Sequence, residues 1–264
     1  QCNSEWANNV VMVKKADGSP RCCIDFRRLN QITKPDPYPL ARIDDALDTL
    51  GSAKVYSTID CAAAFWSCPM AEEDKDKTAF VTRQFGQLRF KRMPFGLRNS
   101  TATYSRALGH VLRGLLWVSV VQYVDDCAIM GEDHEDQLHN LHKVFTRFAI
   151  HGVSLKLSKC QFGVGSLEYL GHVVVAGQGV KMNPKTVEAI LRMKEPVNSS
   201  QIKSVLGAAG YYQRFCPDYA YVVKPLRDLD KLCTSKLGRL PYWGDREQKG
   251  FDAIKAMLAT DPVL

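Results

Sequence analysis

The chain has 264 residues, 45% of them hydrophobic and 24% charged, which is ample for a core that needs no disulfide or metal staples. No apolar run approaches the roughly 18 residues of a membrane-spanning helix, so no membrane partner is expected. The net charge of +7 and a pI near 8.9 are compatible with a polyanionic partner, but the basic residues are too dispersed to say more.

Nine cysteines include the adjacent Cys22 and Cys23 but no CxxC pair. Zinc spacing is therefore missing, and free thiols in a reducing, intracellular compartment are expected. The chain starts at Gln1 and stops at Leu264 without an obvious ending, which suggests a piece of a longer polypeptide.

In chain order, Val10 to Lys15 reads as a strand, 16–20 as a turn by composition, and Arg21 to Phe26 as the returning strand. Lys14, Lys15 and Arg21 crowd the tip, either as a charged hairpin edge or as a grip on phosphates. The three prolines of 34–39 force an extended connector. Ile43, Ala46, Leu47 and Leu50 then step as one face of a helix that Gly51 ends.

An apolar strand from Lys54 closes on Asp60. Thr78–Arg83 and Gln87–Lys91 form a hairpin, and 92–97 form a glycine-bearing bend. Asn99 or Ser100 caps the next helix, which buries Tyr104, Ala107, Leu108, Val111, Leu112 and Leu115. A hairpin over 118–130 follows, with Val118, Val120 and Gln122 on one face and Val121 and Tyr123 on the other.

A helix from Asp133 to His151 turns Leu138, Leu141, Phe145 and Phe148 inward, with His134, His139, His142 and His151 on its surface. Leu155–Phe162 and Glu168–Val175 read as strands around a turn at 163–165. Asn183-Pro184 starts a helix burying Val187, Ile190 and Leu191, and Ser199 or Ser200 caps another burying Ile202, Val205, Leu206 and Ala209. Lys181, Lys185, Arg192, Lys194, Lys203, Arg214 and Lys224 gather in this region, and a last helix spans about Asp245 to Leu258. Strands first and basic helices after make an α+β chain with a smaller helical attachment.

The chemistry sits on acids. Asp is a poor mid-strand residue, so Asp125-Asp126 belongs at a hairpin tip. Taken alone the pair is either a solvated turn or a ligand for a hard divalent cation. Asp60 at the end of another strand changes the balance. One carboxylate and a pair, meeting around cations roughly 3.5–4 Å apart, suit two-metal phosphoryl transfer.

Several motifs occur in one order: Val13-Lys14-Lys15-Ala16-Asp17-Gly18 with Arg21 and Asp25-Phe26-Arg27-Arg28-Leu29-Asn30; Ile59-Asp60; Met93-Pro94-Phe95-Gly96-Leu97; Tyr123-Val124-Asp125-Asp126; Lys159-Cys160-Gln161-Phe162; Tyr169-Leu170-Gly171-His172; and Leu206 through Phe215. Together they resemble the reverse transcriptase of gypsy-type LTR retrotransposons, a Pol polyprotein segment related to the retroviral enzymes, over essentially the whole chain.

The resemblance implies a right-hand polymerase with a central antiparallel palm sheet backed by helices. Fingers would cover 1–34 and 68–99, palm 35–67 and 100–177, thumb 178–240, and the start of the connection region 241–264, with RNase H outside the chain. It implies RNA-directed DNA synthesis. Asp60 and Asp125 would hold two Mg²⁺ ions, or Mn²⁺ as a substitute, helped by Asp126 and the Cys61 carbonyl.

Lys15, Arg21, Phe65, Phe95, Gly96 and Tyr123 would contact the dNTP, with Phe65 selecting against a 2′-hydroxyl. Tyr169, Leu170, Gly171 and His172 would grip the primer, and Lys159 would donate a proton to pyrophosphate. Implied partners are an RNA template, a DNA primer, dNTPs, and the RNase H and integrase regions of the same polyprotein. A homodimer stays open, and the setting would be a cytoplasmic virus-like particle or the nucleus. The sequence departs from the family where Ala64 replaces a glycine, Trp66 a histidine and Thr101 a proline. A catalytically dead nucleic-acid-binding relic and an RNA-directed RNA polymerase are the alternatives; the intact acids disfavour the first, and Phe65 and the gypsy-like thumb the second.

Overall fold

The computed structural model describes residues 1–14, 18–233 and 238–259, in two compact units, Gln1–Val164 and Gly165–Leu264. Lys15 and much of the first expected turn lie outside the described residues, as does most of the polar stretch after Cys233.

The first unit opens with the antiparallel hairpin β1 (Asn9–Lys14) and β2 (Pro20–Asp25). Then come α1 (Arg27–Ile32), α2 (Ile43–Gly51), β3 (Val55–Asp60), α3 (Glu72–Lys75), the small hairpin β4 (Phe80–Thr82) and β5 (Gly86–Leu88), and α4 (Ser100–Val111). The hairpin β6 (Val120–Tyr123) and β7 (Asp126–Gly131), α5 (His134–His151) and β8 (Gln161–Val164) complete it. The central sheet runs β6-β7-β3-β8, antiparallel throughout.

One face of that sheet packs on helices. Ile59, Cys127, Ile129 and Val120 meet Tyr104 and Leu108 of α4 and Leu141, Val144 and Phe148 of α5. Each such large apolar side chain contributes about 1.5–3 kcal/mol by leaving water. The register of β3 is thereby fixed, since a one-residue slip would turn Ile59 outward and Asp60 inward.

The second unit carries the sheet β11-β10-β9, made of β9 (Ser166–Tyr169), β10 (His172–Val175) and β11 (Gly179–Met182). Helices α6 (Pro184–Leu191), α7 (Ser199–Tyr211), α8 (Tyr219–Val222), α9 (Lys224–Leu232) and α10 (Asp245–Ala259) follow. Phe251, Ile254 and Leu258 of α10 are buried, and Gly250 lets it approach α9 so closely that a Cβ would stand 3.2 Å from Leu226.

Several local expectations change. In α5, Leu138 is 67% exposed and Phe145 37%, while Gln137 and Asn140 are buried. Gln137 donates to the Ser57 hydroxyl at 2.7 Å and Asn140 to the Met130 carbonyl at 3.1 Å, so polar groups fill inward positions because the sheet offers them partners. The four surface histidines are exposed as expected.

Ala107 is exposed and Val118 lies outside β6. Asn99 holds the N-cap position of α4 without capping it. Its side chain accepts from Asp36 N and donates to the Lys34 carbonyl, fastening the proline connector instead. The expected strand 155–162 is a 3₁₀ turn, Leu157–Lys159, followed by β8, and 168–175 is split by a turn into β9 and β10. Asn198 caps α7 in place of Ser199, whose hydroxyl donates to Asp230. Leu191 is 37% exposed.

All nine cysteines are free. Among the described residues no helix is long and apolar enough to cross a membrane.

Candidate active site

Antiparallel pairing of β3 with β7 sets Asp60 directly opposite Asp126. Across the β6–β7 hairpin Tyr123 pairs with Asp126, leaving Val124 and Asp125 as a two-residue turn. The three acids thus share one end of the sheet, two at the ends of its inner strands and one at a hairpin tip. Val124 adopts φ 57°, a left-handed conformation disfavoured for a β-branched residue. Gln122 steadies it: its Nε2 donates to the Val124 carbonyl at 3.1 Å and to the Ser105 carbonyl of α4 at 3.3 Å. By alternation alone Gln122 is only a strand-face residue. Its signal was an amide amid β-branched neighbours, where an apolar side chain would serve packing better.

Asp126, solvent-accessible at its strand end, has its pKa raised by partial desolvation first, then by Asp125 and Asp60, with Lys159 opposing the shift. The Lys159 ammonium donates to Asp60 Oδ2 at 2.9 Å. That bond, with the field of all three acids, raises the lysine's pKa and keeps it charged. Its 3₁₀ turn is stapled to the acid's own strand, since Lys156 N donates to the Asp60 carbonyl at 2.9 Å and Leu155 bridges Cys61. Beneath the acids the Cys127 thiol is pushed up by its contact with Cys61 and by burial, and Tyr104 by burial. Both stay protonated.

The donor set fits Mg²⁺. The carboxylates are hard oxygen ligands, their mutual repulsion asks for positive charge, and an ammonium already sits on Asp60. Among the described residues no three His, Cys, Asp or Glu side chains close into a cage. Mg²⁺ is commonly held by one or two carboxylates plus substrate phosphates rather than by an all-protein cage.

Three of the expected nucleotide contacts come together. Phe65 packs edge-on against Phe95 at 5.1 Å and Tyr104 at 5.6 Å, and the Arg21 guanidinium lies 5.1 Å over the Phe95 ring. Gly96 takes φ 91°, and Asn30 clamps this bend by donating to Gly96 O and accepting from Arg98 N, both at 2.8 Å. The motif Asp25 to Asn30 carries no sign of this clamp. Tyr123 is half-buried opposite Asp126, and Lys15 lies outside the described residues. The turn after Cys61 needs its positive φ at Ala63, 53°, and not at Ala64. The alanine standing for the family glycine is therefore unstrained. Trp66 lies 5.4 Å from Phe90 with the rings tilted at 53° and remains 38% exposed.

In the second unit Tyr169 and His172 pair across β9 and β10, so Leu170 and Gly171 form the turn. Tyr169 and His172 are buried, and the turn is the more accessible part. Part of the basic character is used internally, in the pairs Lys185–Glu168 at 3.7 Å and Lys203–Asp230 at 3.6 Å.

Residues 13–174 match the family described as reverse transcriptase (RNA-dependent DNA polymerase). The chain belongs to the reverse transcriptase family. Similar relatives are the retrovirus-related Pol polyproteins of two Drosophila melanogaster transposons. Transposon 297 is 38% identical over 96% of this chain and 24% of its own length, and transposon gypsy 33% identical over 97% and 25%. The chain thus spans about a quarter of these reverse transcriptase relatives. Among solved structures, the foamy viral protease-reverse transcriptase dRH in complex with double-stranded DNA matches at a TM-score of 0.88 and 24% identity, covering 100% of this chain and 45% of that one. The foamy viral protease-reverse transcriptase with an RNA/DNA hybrid matches at 0.86 and 24%, covering 100% and 35%. At that identity the likeness carries the fold, an α+β polymerase fold.

Proposed function

We propose that this chain is the polymerase segment of a retrotransposon Pol polyprotein and performs RNA-directed DNA synthesis. The observation that carries the reading is Asp60 facing Asp126 across paired strands, with Asp125 in the adjoining turn. Two Mg²⁺ ions, or Mn²⁺ in their place, would supply activation of the primer 3′-hydroxyl and neutralisation of the triphosphate.

Asp60 and Asp125 would hold the cations, with the Cys61 carbonyl as a further donor. Asp126 strengthens the negative field behind them. Arg21, with Lys15, neutralises the β- and γ-phosphates; the guanidinium suits bidentate contact and the ammonium a point charge. Phe65, braced by Phe95 and Tyr104, fills the space beside the sugar C2′ and so disfavours ribonucleotides, while Gly96 and Tyr123 shape the floor. Lys159, held charged beside Asp60, would give a proton to the leaving pyrophosphate. Tyr169 to His172 grip the primer end.

Fingers over 1–34 and 68–99, palm over 35–67 and 100–177, thumb over 178–240 and a connection start at 241–264 belong to the same proposal. So do an RNA template, a DNA primer, dNTPs, flanking RNase H and integrase regions, a homodimer, and a virus-like particle or nuclear setting. The test is Mg²⁺-dependent extension of a DNA primer on RNA, with dNTPs against rNTPs, by a protein carrying its flanking regions. Extension with dNTPs supports the reading. Hybrid binding without extension favours a binding relic, and efficient rNTP use favours an RNA polymerase.

A further inference from the structure

Tyr211 is the last residue of α7 and Tyr212 its C-cap. Inside a helix, consecutive side chains diverge; at its end both can reach one target. The Tyr211 hydroxyl donates to the Leu170 carbonyl at 2.5 Å, and the Tyr212 hydroxyl to the Gly171 carbonyl at 2.7 Å. Those are the two carbonyls of the β9–β10 turn, whose residues both take positive φ, 44° at Leu170 and 65° at Gly171. Such a tip is ordinarily solvated and mobile.

Here it is seated. A Cβ on Gly171 would stand 3.2 Å from the Tyr211 ring. The His172 ring lies 5.2 Å from Tyr211 and 5.1 Å from Tyr212, with its Nδ1 2.8 Å from the Leu170 carbonyl. Leu170 also holds a left-handed conformation that a side-chain-bearing residue keeps only when its surroundings over-determine it.

We propose that Tyr211 and Tyr212 are positioning residues for the primer terminus, acting through the Leu170–Gly171 turn. This rests on the polymerase reading, which assigns 169–172 to the primer grip. The physics concerns peptide orientation. In a trans peptide the N–H lies opposite the carbonyl. Tying the Leu170 carbonyl to α7 therefore turns the Gly171 N–H away from α7, as a donor for a primer phosphate oxygen. It also keeps two carbonyl dipoles from facing a polyanion. The hydroxyls touch no substrate; they set the face that the turn presents.

The test uses Tyr211→Phe, Tyr212→Phe and the double variant in the full chain with its flanking regions. The rings and their packing remain, and only the hydroxyl bonds go. Single-turnover dNTP addition to an RNA-templated DNA primer should fall about tenfold in the double variant. The dNTP concentration for half-maximal rate and the hybrid affinity should stay near wild type, while the melting temperature should fall by a few degrees with the two lost hydrogen bonds. A neutral methylphosphonate at the primer's terminal linkage should slow the wild type but add little to the double variant, because both remove the same contact.

A 2-aminopurine at the primer 3′ end reports placement without catalysis, and its fluorescence change on binding should be lost in the double variant. An unchanged rate and unchanged fluorescence would overturn the assignment, as would methylphosphonate and tyrosine effects that simply multiply. A wild type that fails to extend, yet whose fluorescence change needs the tyrosines, would sink the polymerase reading and keep the latch. A wild type that neither extends nor alters the fluorescence would sink both.

Discussion

Asp126→Asn is expected to make the free protein more stable and less active. Asp126 faces Asp60 directly across β3 and β7 and follows Asp125 in the chain. Like charges opposite one another on antiparallel strands destabilise by roughly 0.2–1 kcal/mol. Lys159 offsets only part of this, because its pair with Asp60 is solvent-accessible and therefore screened. Asparagine keeps the shape and removes one charge, so the gain should be about 0.5–1 kcal/mol, or about 1–4 °C in Tm for a chain of this size.

The pH dependence has a definite sign. Partial desolvation and two neighbouring acids raise the Asp126 pKa, so the folded state binds that proton more tightly than the unfolded state does. The resulting penalty is full above the raised pKa and is relieved as pH falls through it towards the ordinary carboxylate value. The variant's advantage should therefore be largest in EDTA near neutral pH and fade on acidification. Saturating Mg²⁺ should shrink or reverse it, because a cation bound to the native acids stabilises the wild type. Calorimetry at two pH values, with and without Mg²⁺, reads all of this. An Asn variant less stable than wild type in EDTA at neutral pH, or a difference indifferent to Mg²⁺, would refute the reasoning.

Three further substitutions probe the frame. Gln122→Leu removes the ties from the strained Val124 turn to α4, worth about 0.5–1.5 kcal/mol each; the rate of nucleotide addition should drop tenfold or more with hybrid binding intact, and an unaltered rate would mean that the turn needs no such tie. Phe65→Ala opens the space braced by Phe95 and Tyr104, so incorporation of rNTP relative to dNTP should rise about tenfold, within reach of a single steric contact; an unchanged ratio in competition assays would remove Phe65 from sugar selection. Gly131→Ala would place a Cβ 2.7 Å from the Gln137 backbone N at the start of α5, and overpacking of that kind costs about 1–3 kcal/mol; a urea midpoint equal to wild type would show that α5 does not seat on β7 as described.

The sequence made the acids legible because their chemistry and their local structure agree. Asp at the ends of β-branched runs has no good place except a strand end or a tip, and β3, β6 and β7 put them there. Helix α2 was equally plain, its buried Ala46, Leu47 and Leu50 matching the apolar spacing. The inward face of α5 was misread because hydrophobicity alone could not show that Ser57 and Met130 would offer partners to Gln137 and Asn140. The split at Leu170–Gly171 was hidden since a two-residue turn inside an apolar run leaves little compositional trace beyond one glycine. Gln122, Asn30 and the two tyrosines act through backbone groups distant in sequence, and such partners appear only once the chain is folded.

The central claim is that Asp60, Asp125 and Asp126 form a metal-dependent polymerase site. The most direct measurement is single-nucleotide addition to a DNA primer on an RNA template, by wild type and Asp125→Asn, with hybrid affinity measured in parallel. Mg²⁺-dependent addition by the wild type and a loss of several orders of magnitude in the variant are expected, with affinity for the hybrid retained. Addition by the variant at a rate near that of the wild type would contradict the claim.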